Sequence, residues 1–234
     1  MTYVKICGIT DVTQALHALE AGADMLGFVF APSRRQVQVE VAARIICRAR
    51  EVFPPRQRPW QAVGVFANQP LGLVKTISAR SHLDVVQLSG TEPPWYCRQI
   101  NVPVFKTVHV PELVGDKAAP GSEASADLRS TSAEQLLRSL RACTGASRLV
   151  LDSGGAGRWG GTGQPFAWEW IGNAARDCLV AGGLTPENVE TAILMLHPWA
   201  VDVSSGVEIG GQKDPLLISR FIMKVRRSDD RATS

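Results

Sequence analysis

Short apolar runs alternate with amphipathic segments along the chain. Eight runs have the length and composition of buried parallel strands: residues 3–7, 25–30, 61–66, 84–88, 104–108, 148–152, 178–181 and 200–204. Between them lie stretches with apolar residues at helical spacing, over 12–21, 39–50, 71–79, 133–142, 165–175, 186–196 and 215–225. The first of these shows the logic. Ala15, Leu16 and Leu19 share one helix face, Asp11 supplies a cap and Gly22 a stop. The connection between the fourth and fifth strands is the weak link, because 93–99 has room for a short helix only. Repeated β–α units predict a parallel sheet, and eight of them predict closure into a barrel.

Two glycine-rich turns stand out near the C-terminus. Leu179-Val180-Ala181-Gly182-Gly183-Leu184 precedes Thr185-Pro186-Glu187, and Ala200-Val201-Asp202-Val203-Ser204-Ser205-Gly206 leads on toward Asp214-Pro215-Leu216. Small residues let backbone N–H groups approach a ligand, and a helix start favours negative charge there. At the end of a strand–helix chain, two such turns predict a phosphate site at the mouth of a barrel. The expected ligand is a phosphorylated small molecule.

At 234 residues the chain suits one domain. The reading is a barrel over 1–226 with a flexible loop insertion over 113–131, rich in Gly, Ala, Ser, Asp and Glu, and a frayed tail over 227–234. As a solvated insertion or as a lid, that loop is expected on the side of the strand ends. The net charge of +3 is small and its cations are scattered, Arg34-Arg35 and Arg226-Arg227 being only pairs, so no nucleic-acid footprint is expected. With no 18-residue apolar stretch and no basic-then-apolar start, neither a membrane span nor a secretion signal is expected. Five cysteines without a C-x-x-C pair suit reduced thiols in the cytoplasm and lack the spacing of a zinc site, so no metal is expected.

Reactive groups are sought where strands end. Cys7 closes the first strand and shares a face with Lys5. It reads either as a base whose pKa a nearby positive charge lowers, or as a small core hydrophobe. Asp152 closes the sixth strand, where partial burial would raise its pKa and suit it to donate a proton; the other reading is a cap for the following turn. Asp202 points inward from the eighth strand, to orient substrate hydroxyls, to polarise a neighbour or to accept a structural hydrogen bond. Arg34 and Arg35 follow the second strand, and a guanidinium suits a carboxylate. Gly160-Gly161-Thr162-Gly163-Gln164 marks a further loop, and His109 is the one histidine near the rim.

Taken in order, several segments resemble phosphoribosylanthranilate isomerases, enzymes of tryptophan biosynthesis. They are Val4-Lys5-Ile6-Cys7-Gly8-Ile9, Gly22-Ala23-Asp24, Gly27-Phe28-Val29-Phe30, Ser33-Arg34-Arg35 and Val63-Gly64-Val65-Phe66. Leu151-Asp152-Ser153, the Gly160–Gly163 stretch before Phe166 and Trp168, both late turns through Val207-Glu208, and Lys213-Asp214 complete the set. The resemblance spans residue 3 to about 224. It implies a single (β/α)8 TIM barrel of the ribulose-phosphate-binding type and a cofactor-free, metal-free Amadori rearrangement of N-(5-phosphoribosyl)anthranilate. It further implies Asp152 as general acid, Cys7 as general base and Arg35 as the anthranilate contact. Asp202 joins them on the substrate, while Gly182, Gly183, Ser204, Ser205 and Gly206 hold the phosphate. Ser89 stands where the family pattern has histidine, and Gln164 where lysine is common. The expected partner is the small-molecule substrate, with no nucleic acid or membrane, for a monomer or homodimer. Two other readings stay open: a neighbouring phosphate-binding barrel such as indole-glycerol-phosphate synthase, and a catalytically silent ligand-binding barrel.

Overall fold

The computed structural model describes residues 1–109, 126–152 and 168–232. Among them, eight parallel strands close into a barrel in sequence order, with the last hydrogen-bonded to the first. The first half runs β1 (Tyr3–Cys7), α1 (Val12–Ala21), β2 (Met25–Val29), α2 (Val39–Val52), β3 (Gln61–Phe66), α3 (Leu71–Arg80), β4 (Val85–Leu88) and α4 (Pro94–Cys97). The second half runs β5 (Val104–His109), α5 (Ala126–Thr144), β6 (Arg148–Asp152), α6 (Trp168–Ile171), β7 (Leu179–Ala181), α7 (Val189–Leu196), β8 (Ala200–Val203) and α8 (Pro215–Ala232). Every expected strand is present to within a residue at each end. Helix α1 begins with the Asp11 side chain accepting from Gln14 N–H and ends at Gly22 in the left-handed conformation.

The strands read as nearly continuous apolar runs because both of their faces are buried. On β1, Val4 and Ile6 pack outward against the helices at 0% exposure. Inside the barrel, Met25, Val63, Val85, Phe105, Val150, Leu179 and Ala200 form a separate cluster. Trp199 seals the end where the strands begin, its ring 5.2 Å from that of Tyr3 and 5.8 Å from that of Phe105, with the Arg148 guanidinium 4.8 Å away. The floor is therefore closed, and only the C-terminal ends of the strands offer an opening.

Three expectations change. Helix α5 begins at Ala126, so the last part of the insertion expected over 113–131 is helical; 110–125 lies outside the described residues. Of the helix expected over 165–175, α6 is one turn, followed by a 3₁₀ segment over Gly172–Asp177. The third change concerns the frayed tail expected from 227. Helix α8 continues to Ala232, Ser228 is fully buried, and Asp229 accepts from the backbone N–H and hydroxyl of Thr2 at 2.8 Å each. Arg226 adds a 2.8 Å pair with Asp24. These polar residues lack an apolar period, which is why the segment reads as a tail, but their partners lie at the start of β1. Truncation after Arg227 is expected to cost about 1–3 kcal/mol of stability in urea denaturation, the scale of a lost hydrogen bond to a charged group; an unchanged midpoint would mean that the segment frays.

Candidate active site

A cavity of 820 Å³ opens at the C-terminal ends of the strands, and both Cys7 and Asp152 line it. Side chains alternate along a strand, so the residues facing this cavity are those in phase with the interior cluster: Cys7 on β1, Thr107 and His109 on β5, Asp152 on β6, Asp202 on β8. Around the rim, β7 and β8 stand between Cys7 and Asp152. The two groups thus flank the strands whose loops carry the glycine-rich turns.

Cys7 is 8% exposed. Beneath it Lys5, 0% exposed, faces Asp202 across the β1–β8 seam, with its Nζ 2.8 Å from Oδ2. Burial opposes a charge on Lys5, yet Asp202 and Cys7 outweigh it and hold the ammonium above the usual lysine range. For Cys7 the expected lowering does not hold. Burial pushes the thiol up and outweighs the pull of Lys5, with Asp202 adding to the rise. Asp202 keeps its Oδ1 buried with no hydrogen-bond partner among the described residues.

Arg35 lines the same cavity but is already engaged. Its Nε donates to Glu208 Oε1 at 2.7 Å and its Nη2 to Oε2 at 2.9 Å. Glu208 also takes Lys213 at 2.7 Å and the exposed Arg34 at 2.8 Å. A two-stranded hairpin after β8 makes this hub, pairing Glu208–Ile209 (β9) with Gln212–Lys213 (β10). Lys213 Nζ then donates to the Ser204 carbonyl at 3.0 Å, which holds the end of β8. Burial alone would raise Glu208, but hydrogen bonds from Arg35 and Lys213 outweigh it and hold its carboxyl below the usual range. The motif residues Glu208 and Lys213 carried no expected role, because nothing in the sequence places them on Arg35.

The glycine-rich turns meet at the rim. Gly182 and Gly183 both adopt positive φ, 88° and 66°, which side chains disfavour. They line the cavity together with Ser204 and Ser205. The backbone N–H groups of Gly182, Gly183 and Ser205 donate no hydrogen bond among the described residues. Gly206 does not line the cavity. It packs behind, where a Cβ would lie 1.9 Å from the Leu184 carbonyl oxygen, so glycine there lets the two turns touch.

A polar wall on β4 and β5 completes the site. Ser89 Oγ lies 2.9 Å from Thr107 Oγ1 and accepts from Gln87 Nε2 at 3.2 Å. Gln87 Oε1 and His109 Nδ1 are buried without partners among the described residues. Gln87 and Thr107 were missed; polar residues at inward positions of apolar strands were the available signal. The Gly160–Gln164 stretch and Phe166 lie outside the described residues. Among the described residues no cluster of His, Cys, Asp or Glu suits a metal ion, and no helix is long and apolar enough to cross a membrane.

The family model described as N-(5'-phosphoribosyl)anthranilate (PRA) isomerase matches residues 4–224. The chain belongs to this family. Among PRA isomerases, that of Moorella thermoacetica is 40% identical over 233 residues, covering 98% of this chain and 92% of its own. The crystal structure of the Thermotoga maritima enzyme superposes with a TM-score of 0.75 at 35% identity, covering 97% of this chain and 100% of that one. A further PRA isomerase structure, in complex with reduced 1-(o-carboxyphenylamino)-1-deoxyribulose 5-phosphate, has a TM-score of 0.71 and 34% identity, with coverage of 97% and 100%.

The Glu208 hub carries a prediction with a defined sign. A carboxyl held below its ordinary pKa contributes stability that is complete above that value and is lost as pH falls through the depressed one. Glu208→Gln is expected to cost about 3 kcal/mol near neutrality, since it strands buried cations. Urea denaturation from neutral to acid pH is expected to show the gap narrowing below about pH 4.3, the ordinary glutamate pKa; a constant gap would remove the ionised Glu208 from the account.

Proposed function

We propose that this chain is a PRA isomerase of the cytoplasm, acting as a monomer or homodimer. It converts N-(5-phosphoribosyl)anthranilate into 1-(2-carboxyphenylamino)-1-deoxyribulose 5-phosphate. One observation carries the mechanism: Cys7 and Asp152 share a cavity and stand on either side of the strands that bear the glycine-rich turns.

In this reading the phosphate seats on the free N–H groups of Gly182, Gly183 and Ser205, with the Ser204 hydroxyl beside them. Ser204 Oγ already donates to the Cys7 carbonyl at 3.0 Å, which ties the phosphate end to the base-bearing strand. Anchoring at that end holds the ribose between the acid and the base, and converts two weak groups into effective ones. Asp152 protonates the furanose ring oxygen. The C1–O bond breaks as the nitrogen lone pair forms the iminium. Cys7, as thiolate, then removes the C2 proton, and the C2–H electrons form the C1–C2 double bond while the iminium electrons return to nitrogen. The resulting enol tautomerises to the ketone. Arg35 meets the anthranilate carboxylate, with Nη1 the guanidinium nitrogen left open by the Glu208 contact. Asp202 Oδ1 accepts a substrate hydroxyl, which satisfies an otherwise orphaned buried atom.

The test is fluorimetric: the protein is mixed with freshly made phosphoribosylanthranilate, and loss of anthranilate-type fluorescence is followed. Loss no faster than the spontaneous rate would favour a silent binder. Cys7→Ala and Asp152→Ala are each expected to lower turnover by about a hundredfold or more, the contribution of one general acid or base; near-normal turnover would take that residue out of the mechanism. Arg35→Ala is expected chiefly to raise KM, because Lys213 and Arg34 still hold Glu208. An unchanged KM would count against the anthranilate contact.

A further inference from the structure

A fully buried lysine inside the barrel has no packing reason to be there. Replacing a buried ion pair with apolar side chains of similar volume is often neutral or stabilising. Lys5 and Asp202 are nevertheless both inside, 2.8 Å apart, one inward step below the Cys7 sulfur. Lys5 does not line the cavity, so it cannot meet a substrate; its Nζ is held by Asp202, and it shares the inward face of β1 with Cys7, two residues further on. Asp202 does line the cavity, and its Oδ1 has no partner among the described residues.

We propose that Lys5 is a positioning residue that sets the proton affinity of Cys7, and that substrate binding at Asp202 strengthens its hold on the sulfur. The proposal rests on the reading of Cys7 as the base. Without substrate the ammonium is held by the Asp202 carboxylate, and the carboxylate disfavours a second anion nearby. A substrate hydroxyl that donates to Oδ1 spreads the carboxylate charge and weakens both effects. The ammonium then favours the thiolate, and the thiol proton leaves to water. A buried thiol that stays protonated without ligand thus becomes a base when its substrate is in place.

Other charges face the same sulfur. Lys213 reaches it from β10 and Arg35 from the segment after β2, but both are held by Glu208, which offsets them. Asp152, two strands away on β6, acts on Asp202 rather than on the sulfur. Lys5 is the cation whose partner also faces the substrate, and this makes it the adjustable one.

The test measures thiolate directly and needs no turnover. Iodoacetamide is added to the wild-type protein, Lys5→Met and Asp202→Asn across a range of pH, and the thiolate displaces iodide. The adduct is read on the Cys7 peptide by mass spectrometry, because Cys47 and Cys143 are exposed and would dominate a total thiol count. Near pH 7, where the thiolate is the minor form, a pKa change of one unit is about tenfold in thiolate fraction. Asp202→Asn is expected to label roughly tenfold faster than wild type, and Lys5→Met roughly tenfold slower. Circular dichroism establishes folding of each variant; if Lys5→Met does not fold, Asp202→Asn decides alone, faster labelling supporting the proposal. Shifts in the same direction, or no change in Asp202→Asn, overturn it. Such a result would leave Cys7 as the base, since that role stands or falls with the turnover of Cys7→Ala.

Discussion

Closure of the sheet between β1 and β8 is the constraint on which the rest depends. Parallel pairing of these two strands sets Lys5 opposite Asp202 and brings the N-terminal Cys7 beside a turn that follows it by almost two hundred residues. The same closure leaves no free sheet edge and directs every second side chain into one shared interior. Apolar residues fill the lower part of that interior, and Trp199 caps it. Cys7, Thr107, His109, Asp152 and Asp202 line the opposite mouth, where they can act on a common ligand.

Electrostatics divides that mouth into two working parts. Glu208 gathers Arg35, Lys213 and Arg34, and fixes the end of β8 and the segment after β2 relative to each other. Its ion pairs position backbone and guanidinium at once. The Lys5–Asp202 pair lies deeper and has one oxygen to spare. The hub is saturated by three cations, whereas Asp202 Oδ1 has no partner among the described residues.

The glycine-rich turns add geometry that side chains would forbid. Gly182 and Gly183 bend the chain with positive φ, and Gly206 lets the following turn press on the Leu184 carbonyl. Gly182, Gly183, Ser204 and Ser205 line the same cavity as Cys7 and Asp152.

Much of this was legible from residue order. Continuous apolar runs located the strands and period-3.6 patterning most helices, and the strand-end positions of Cys7 and Asp152 marked them as candidates, because both are local properties of the chain. The Glu208 hub, the buried Lys5–Asp202 contact and the docking of Asp229 on Thr2 were not legible. Each joins groups that only the closed barrel, the β9–β10 hairpin or the full length of α8 brings within hydrogen-bond distance. The upward shift of Cys7 was hidden for the same reason. A neighbouring lysine suggests a lowered pKa from sequence, whereas burial, which outweighs it, comes from all the elements packed around the sulfur. Sequence determined which chemical groups stand at the strand ends; the fold decided which of them share a charge, and so how each holds its proton.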